Sequence, residues 1–172
     1  MKNLKLLIIV FFLSLSVQAD VFDQKSDIQT ISKKIPQMDN IKCKFRQEKI
    51  IQNIQKPVIS GGDFEFKKNE GVYFYTTYPV KSGVSYSGKN YKQVNDIINA
   101  ISNKKYSRLD NEFNFYFEKN NSDWILGLKP KDDEVSKYLS QITIEGSNRI
   151  NKINIVQKNG NRTTIWFLAE DL

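Results

Sequence analysis

The 172-residue chain contains no histidine. That removes both the commonest general base and the commonest zinc ligand. Its single cysteine, Cys43, cannot form an internal disulfide. Cys43 lies in an alternating apolar pattern and reads as a small buried hydrophobe. Glycine and proline are scarce, at eight and four, and no linker or internal repeat interrupts the chain. There is no glycine-rich phosphate loop; Gly61-Gly62 falls inside a strand pattern and marks a bulge or close packing. The one dense acidic run, Asp132-Asp133-Glu134, lacks the alternating ligands and distal glutamate of a calcium loop and reads as a solvated turn. No serine and lysine stand at a catalytic spacing. The expectation is a protein with no catalytic residues, no metal and no cofactor.

A run long enough to cross a bilayer is missing as well. Lys2 and Lys5 precede an apolar stretch, Leu6 to Leu15, and Val17-Gln18-Ala19 follows. A span needs roughly 20 apolar residues, which this stretch does not reach. The layout is that of a secretory signal peptide over residues 1–19, cleaved before Asp20. No cysteine follows the cut, so lipid anchoring by that route is excluded. Residues 20–172 are then expected to be one domain in the periplasm of a Gram-negative cell. Losing Lys2 and Lys5 lowers the formal charge from +7 to +5. That balance favours anionic surfaces such as phospholipid headgroups, while export argues against nucleic acid.

What the sequence does have is alternation. Ile28, Ile31 and Ile35 share one helical face, with Ser26 as the expected N-cap and Pro36 as the stop. From Ile41 onward the period is two. Cys43 and Phe45 alternate with lysines and Arg46. Phe64 and Phe66 occupy the next strand, and Val72 and Phe74 a third that Pro79 stops. Val84 leads to a Ser87-Gly88 turn. Val94, Ile97, Ile98 and Ile101 return to helical spacing, with Asn95 or Asp96 near the start, and Leu109 belongs to a further helical turn. Strands resume with Phe113, Phe115 and Phe117, then Trp124, Leu126 and Leu128. Val135, Tyr138 and Leu139 form a short helical excursion. Ile142 and Ile144, Ile153 and Ile155, and Ile165 and Phe167 complete the pattern, with a hairpin at Asn159-Gly160. About nine strands, one N-terminal helix and a short helical insertion result. The expected class is α+β, mainly β: a strongly curved antiparallel sheet, or unclosed β-barrel, covered by the helices. Its apolar face exceeds what a packed single sheet requires. A partly filled concavity of that kind accepts acyl chains.

Several stretches resemble the outer-membrane lipoprotein carrier proteins, the LolA family, and more closely its compact relatives. They are Phe45-Arg46-Gln47; Ser60-Gly61-Gly62-Asp63-Phe64-Glu65-Phe66-Lys67-Lys68; the aromatic strand ending at Pro79; the Ser87-Gly88 turn; Trp124-Ile125-Leu126-Gly127-Leu128-Lys129-Pro130; Ile142-Thr143-Ile144-Glu145-Gly146; and Asn159-Gly160-Asn161-Arg162-Thr163-Thr164-Ile165-Trp166-Phe167. They run in order over residues 24–168. The resemblance implies an unclosed barrel under a helical lid. It implies a monomeric shuttle that takes acylated lipoprotein or glycolipid from an inner-membrane exporter to an outer-membrane acceptor. The lining expected from the apolar faces of the strands and the helical insertion is Phe45, Phe64, Phe66, Val72, Phe74, Val84, Ile97, Ile101, Phe113, Phe115, Trp124, Leu126, Ile142, Ile144, Ile153, Ile155, Ile165 and Phe167. Where the family carries an Arg-Pro that paces transfer, this chain has Lys68-Asn69. Lys68 is the gating candidate, although a lysine lacks the planar fork of arginine. The competing readings are a sensor or structural module of the same fold, and a lipid-modifying hydrolase, against which the missing histidine weighs.

Overall fold

The computed structural model describes the backbone of residues 20–84 and 92–169, and the side chains of residues 20–81 and 94–169. The expected signal segment and the Ser87-Gly88 turn lie outside the described residues, as does the side chain of Val84.

One antiparallel sheet holds ten strands in the order β1-β6-β7-β8-β9-β10-β2-β3-β4-β5. They are β1 (Lys25–Ser26), β2 (Ile41–Ile50), β3 (Val58–Lys67), β4 (Gly71–Tyr78), β5 (Ser82–Val84), β6 (Phe113–Asn120), β7 (Asp123–Pro130), β8 (Leu139–Gly146), β9 (Ile150–Gln157) and β10 (Arg162–Leu168). The sheet does not close: β1 and β5 are its two edges. Four helices accompany it, α1 (Ile28–Lys34), α2 (Lys92–Ser102), α3 (Ser107–Glu112) and the single turn α4 (Asp133–Ser136). The one strand beyond the nine expected is β1, whose two residues are too few for a period of two to register.

The curvature follows from which helices touch which strands. Seven inter-strand steps separate β6 from β4, about 34 Å if the sheet were flat. Yet α2 packs on β4 and on α3, and α3 packs on β6. Two helices bridge that gap only if the sheet bends around them. Their apolar residues and one face of every long strand form a single buried cluster.

Local chemistry sets the helix ends. The N-cap of α1 is Asp27, not Ser26, which belongs to β1. Both residue types suit a cap. Asp27 holds the position because its Oδ1 accepts from the Thr30 backbone N–H at 2.9 Å and its Oδ2 from the Thr30 hydroxyl at 2.8 Å. These bonds favour the ionised carboxylate and lower its pKa below the ordinary 3.8. Ile31 and Ile35 are fully buried, and Ile28 packs partly buried against them. Helix α2 starts at Lys92, earlier than Asn95 or Asp96; Asn95 is inside it and buried. The acidic run is a cap as well as a turn: Asp132 Oδ1 accepts from the N–H groups of Glu134 and Val135. Tyr138 is not part of a buried helical face but is largely exposed.

A short 3₁₀ turn, Val21–Asp23, precedes β1 and lies on the outer face of β6 and β7. Phe22 meets Tyr116 edge-on at 5.3 Å, and the Lys129 ammonium sits 4.6 Å from the Phe22 ring centre. Gly127 makes the seat. A Cβ there would stand 2.7 Å from the Phe22 ring.

Candidate functional site

Strand alternation sends one residue in two to the inner face. The register then aligns these residues across the sheet: Phe117 with Leu126, Leu126 with Ile144, Ile144 with Ile153, and Ile153 with Ile165. A second row joins Phe167 with Phe45, and a third joins Cys43 with Phe64 and Phe64 with Phe74. Cys43 is the small buried hydrophobe expected of it.

The structure gathers nearly all of the expected lining in one place. Phe66, Val72, Ile101, Phe113, Leu126, Ile142, Ile144 and Ile153 are fully buried, and Phe115, Trp124, Ile97 and Ile165 nearly so. Ile155 is only partly buried and packs at the margin of the cluster. From the helices, Ile31, Ile35, Ile98 and Leu109 fill the space inside the sheet. Leu109 and Ile98 were legible as helical apolar positions. Met38 was not, because it sits in the irregular connection before β2, where no period applies.

Within this interior, four rings form a distinct group on β10, β2, β3 and β4. Phe74 meets Phe45 at 5.0 Å and 86°, and Phe64 at 5.0 Å and 63°. Phe64 and Phe167 stand 4.5 Å apart, and Phe74 and Phe167 6.2 Å. Edge-to-face contacts of this kind add about 0.5–1.5 kcal/mol per pair to burial. The β3–β4 register shifts between Gly61 and Gly62, the bulge that the sequence marked. A Cβ on Gly62 would stand 1.9 Å from the Tyr75 carbonyl oxygen, so the strands approach there only because the residue is glycine. The four rings keep 2–4 % of their surface accessible.

Polar atoms inside are few. Trp124 donates its indole N–H to the Ser147 carbonyl at 2.7 Å. Tyr106 is buried, and its hydroxyl finds no partner among the described residues. Burial pushes its phenol up to about 12.

Lys68 lies outside this interior, in the β3–β4 turn. Its backbone N–H donates to Asn40 Oδ1 at 2.8 Å, and its ammonium stands 3.8 Å from Asp39 Oδ1. It thus ties the turn to the connection between α1 and β2. Asn69 takes a left-handed φ of 65° and Gly71 a φ of 129°, which only a turn-forming pair adopts cheaply.

Polar clefts line the outside. One of about 790 Å³ runs between α1, α3 and the β1–β6 edge and presents Lys25, Lys33 and Lys131 beside Asp27 and Asp110. Lys131 donates to the Asp110 carbonyl at 2.6 Å. Among the described residues no three histidine, cysteine or acidic side chains converge as metal ligands. No helix described is long and apolar enough to cross a membrane.

No protein-family model matches the sequence, and no curated protein does. Among solved structures, the chain is similar to a LolA superfamily protein from Nitrosomonas europaea. The identity is 12%, the overlap covers 86% of this chain and 95% of that one, and the TM-score is 0.39.

Proposed function

We propose that the protein is a carrier for acyl chains, working in the periplasm after export. The observation that carries this reading is the interior itself. One unclosed sheet commits its whole inner face to apolar side chains and covers it with helices rather than with a second sheet. A sheet sandwich holds its core by ladders on both sides; here α2 is held over β4 mainly by Val94, Ile97, Ile98 and Ile101. An acyl chain entering beneath α2 exchanges one apolar contact for another. Each methylene hidden this way is worth about 0.8 kcal/mol against exposure to water. The exchange lets the protein bind and release without bond chemistry, and the absence of histidine fits that role.

The cargo in this reading is a lipoprotein, or a related acylated envelope lipid, passed from an inner-membrane exporter to an outer-membrane acceptor. The sequence resemblance over residues 24–168 supports the direction of that traffic. Mass spectrometry of lipid extracted from the purified protein is the direct test, with release of acylated cargo from spheroplasts as its functional counterpart. Acylated molecules in stoichiometric amount are expected. An empty interior, together with no release, overturns the carrier reading and leaves a sensor or structural module of the same fold.

A further inference from the structure

The β2–β3 hairpin outruns the core. Gln47 and Ser60, joined at 3.2 Å, are the last partly buried pair along it. Beyond them most of the hairpin is exposed, with Glu48 and Ile51 partly buried, and several apolar side chains stand open: Ile50 is 45 % accessible, Ile54 52 % and Val58 48 %. Next to the hairpin, the end of β4 exposes Tyr78 at 60 % and the connection after it exposes Val80 at 71 %. On its other flank the β9–β10 turn is fastened to it, the Gln52 N–H donating to Asn161 Oδ1 at 2.8 Å. β4 pairs no further than Gly61, so the tip stands about 10 Å past the end of β4.

The charge of these three segments is of one sign. Residues 49–60, 76–82 and 156–163 contain no aspartate or glutamate. They carry Lys49, Lys56, Lys81, Lys158 and Arg162, all exposed. Elsewhere on the sheet several cations sit beside anions, as Lys44 does with Asp63 and Lys152 with Glu145. The acidic connection Asp132–Glu134 is at the same end but on the far flank, beyond β9, and Lys137 pairs with Glu134 there.

Isolated exposed isoleucines are ordinary on a soluble protein. A projecting apolar tip ringed by lysine and arginine that pair with no acid among the described residues, with a tyrosine at its rim, is a different object. A water–protein or protein–protein contact needs no such excess of cations. An anionic bilayer surface does: its headgroups attract the ring, and its acyl boundary accepts side chains to a depth of about 5–10 Å. The overhang of the hairpin matches that depth.

We propose that this end of the sheet is a reversible docking surface for anionic phospholipid, with Ile54 and Val80 as the inserting residues and the five cations as the headgroup contacts. The proposal concerns a surface and goes beyond the carrier reading, which concerns the interior.

The test is co-sedimentation of the full chain with vesicles of phosphatidylethanolamine and phosphatidylglycerol mixed about two to one, against vesicles of phosphatidylcholine alone. Residues 1–19 are common to every variant, so their contribution cancels between parent and variant. Binding is expected to the anionic vesicles only and to weaken in high salt. Ile54→Glu with Val80→Glu is expected to lower it by about tenfold or more, and Lys56→Glu with Lys158→Glu to lower it as well. Ile54→Gln with Val80→Gln gives a milder pair if the first is poorly folded, with circular dichroism as the check on folding. Equal binding by parent and folded variants, or binding indifferent to lipid charge, overturns the proposal. So does a parent dimer that the same variants dissolve, because the tip would then be a contact between copies. Lipid extracted from the same preparations reports on the interior separately: loaded protein that ignores vesicles sinks the docking surface alone, and empty protein that binds them sinks the carrier reading alone.

Discussion

Phe74 and Tyr75 are neighbours on β4 that point to opposite faces, and their truncation separates the interior from the surface. Phe74 is 4 % accessible and meets three rings, those of Phe45, Phe64 and Phe167. Removing a buried phenylalanine costs about 3–5 kcal/mol, the lost transfer energy plus the void left behind. In a domain of this size each kcal/mol moves Tm by about 2–4 °C, so Phe74→Ala is expected to lower Tm by roughly 6–20 °C. Tyr75 is 42 % accessible and has the parallel ring of Tyr73 at 6.5 Å. Tyr75→Ala is expected to cost less than about 1 kcal/mol. Thermal unfolding followed by circular dichroism reads both. The carrier reading adds a second arm: an acyl ligand bound inside restores stability by mass action, about 2.7 kcal/mol at a hundred times its Kd. A fatty acid should therefore raise the Tm of Phe74→Ala, whose void it can enter. Two results refute the reasoning. If the two variants lose equal stability, the four-ring group is not the packed centre assigned to it. If no acyl ligand shifts the Tm of parent or variant, the interior is a core and nothing more.

Tyr106→Phe removes a buried hydroxyl that has no partner among the described residues, and is expected to stabilise the fold by about 1 kcal/mol in equilibrium denaturation. The parent should also lose stability at high pH. A phenol pushed up to about 12 contributes stability that is intact below its ordinary value of 10 and is lost as pH rises toward 12; the variant should lack that alkaline limb. Asp27 gives the opposite limb. Its lowered pKa means that its contribution is present above 3.8 and lost as pH falls through the folded value, so Asp27→Asn should flatten the acid end of a stability–pH curve. Lys68→Ala breaks an exposed pair 3.8 Å long and should leave stability within about 0.5 kcal/mol while slowing cargo transfer from spheroplasts; a large drop in Tm would assign Lys68 to structure instead.

The interior was legible because a one-sided sheet writes its burial into every second residue. Phe113, Phe115 and Phe117 declare a face without help from any neighbour, and the register then only has to stack such faces. Features that depend on fewer than one period were not legible. β1, with two residues, and the Val21–Asp23 turn carry no alternation, and only the lone Gly127 inside a strand hinted that a ring would lie across it. Ser26 and Asp27 are both good caps, and a choice one residue apart needs the three-dimensional position of Thr30. The projecting hairpin leaves its own signal in the sequence: alternation fails at Ile50-Ile51, and apolar residues that keep no period have no single face to bury.

The two edges of the sheet have a consequence for how the protein behaves in a crowd. β1 and β5 are two and three residues long. A free strand edge is a template on which another copy can lay its own backbone, and the longer the edge, the stronger the invitation. In the carrier reading proposed above, an unclosed sheet that admits an acyl chain leaves such edges exposed. Among the described residues each side ends in a fragment too brief to guide a foreign strand into register. The sheet can stay unclosed, and many copies can pass close to one another, without knitting into fibres.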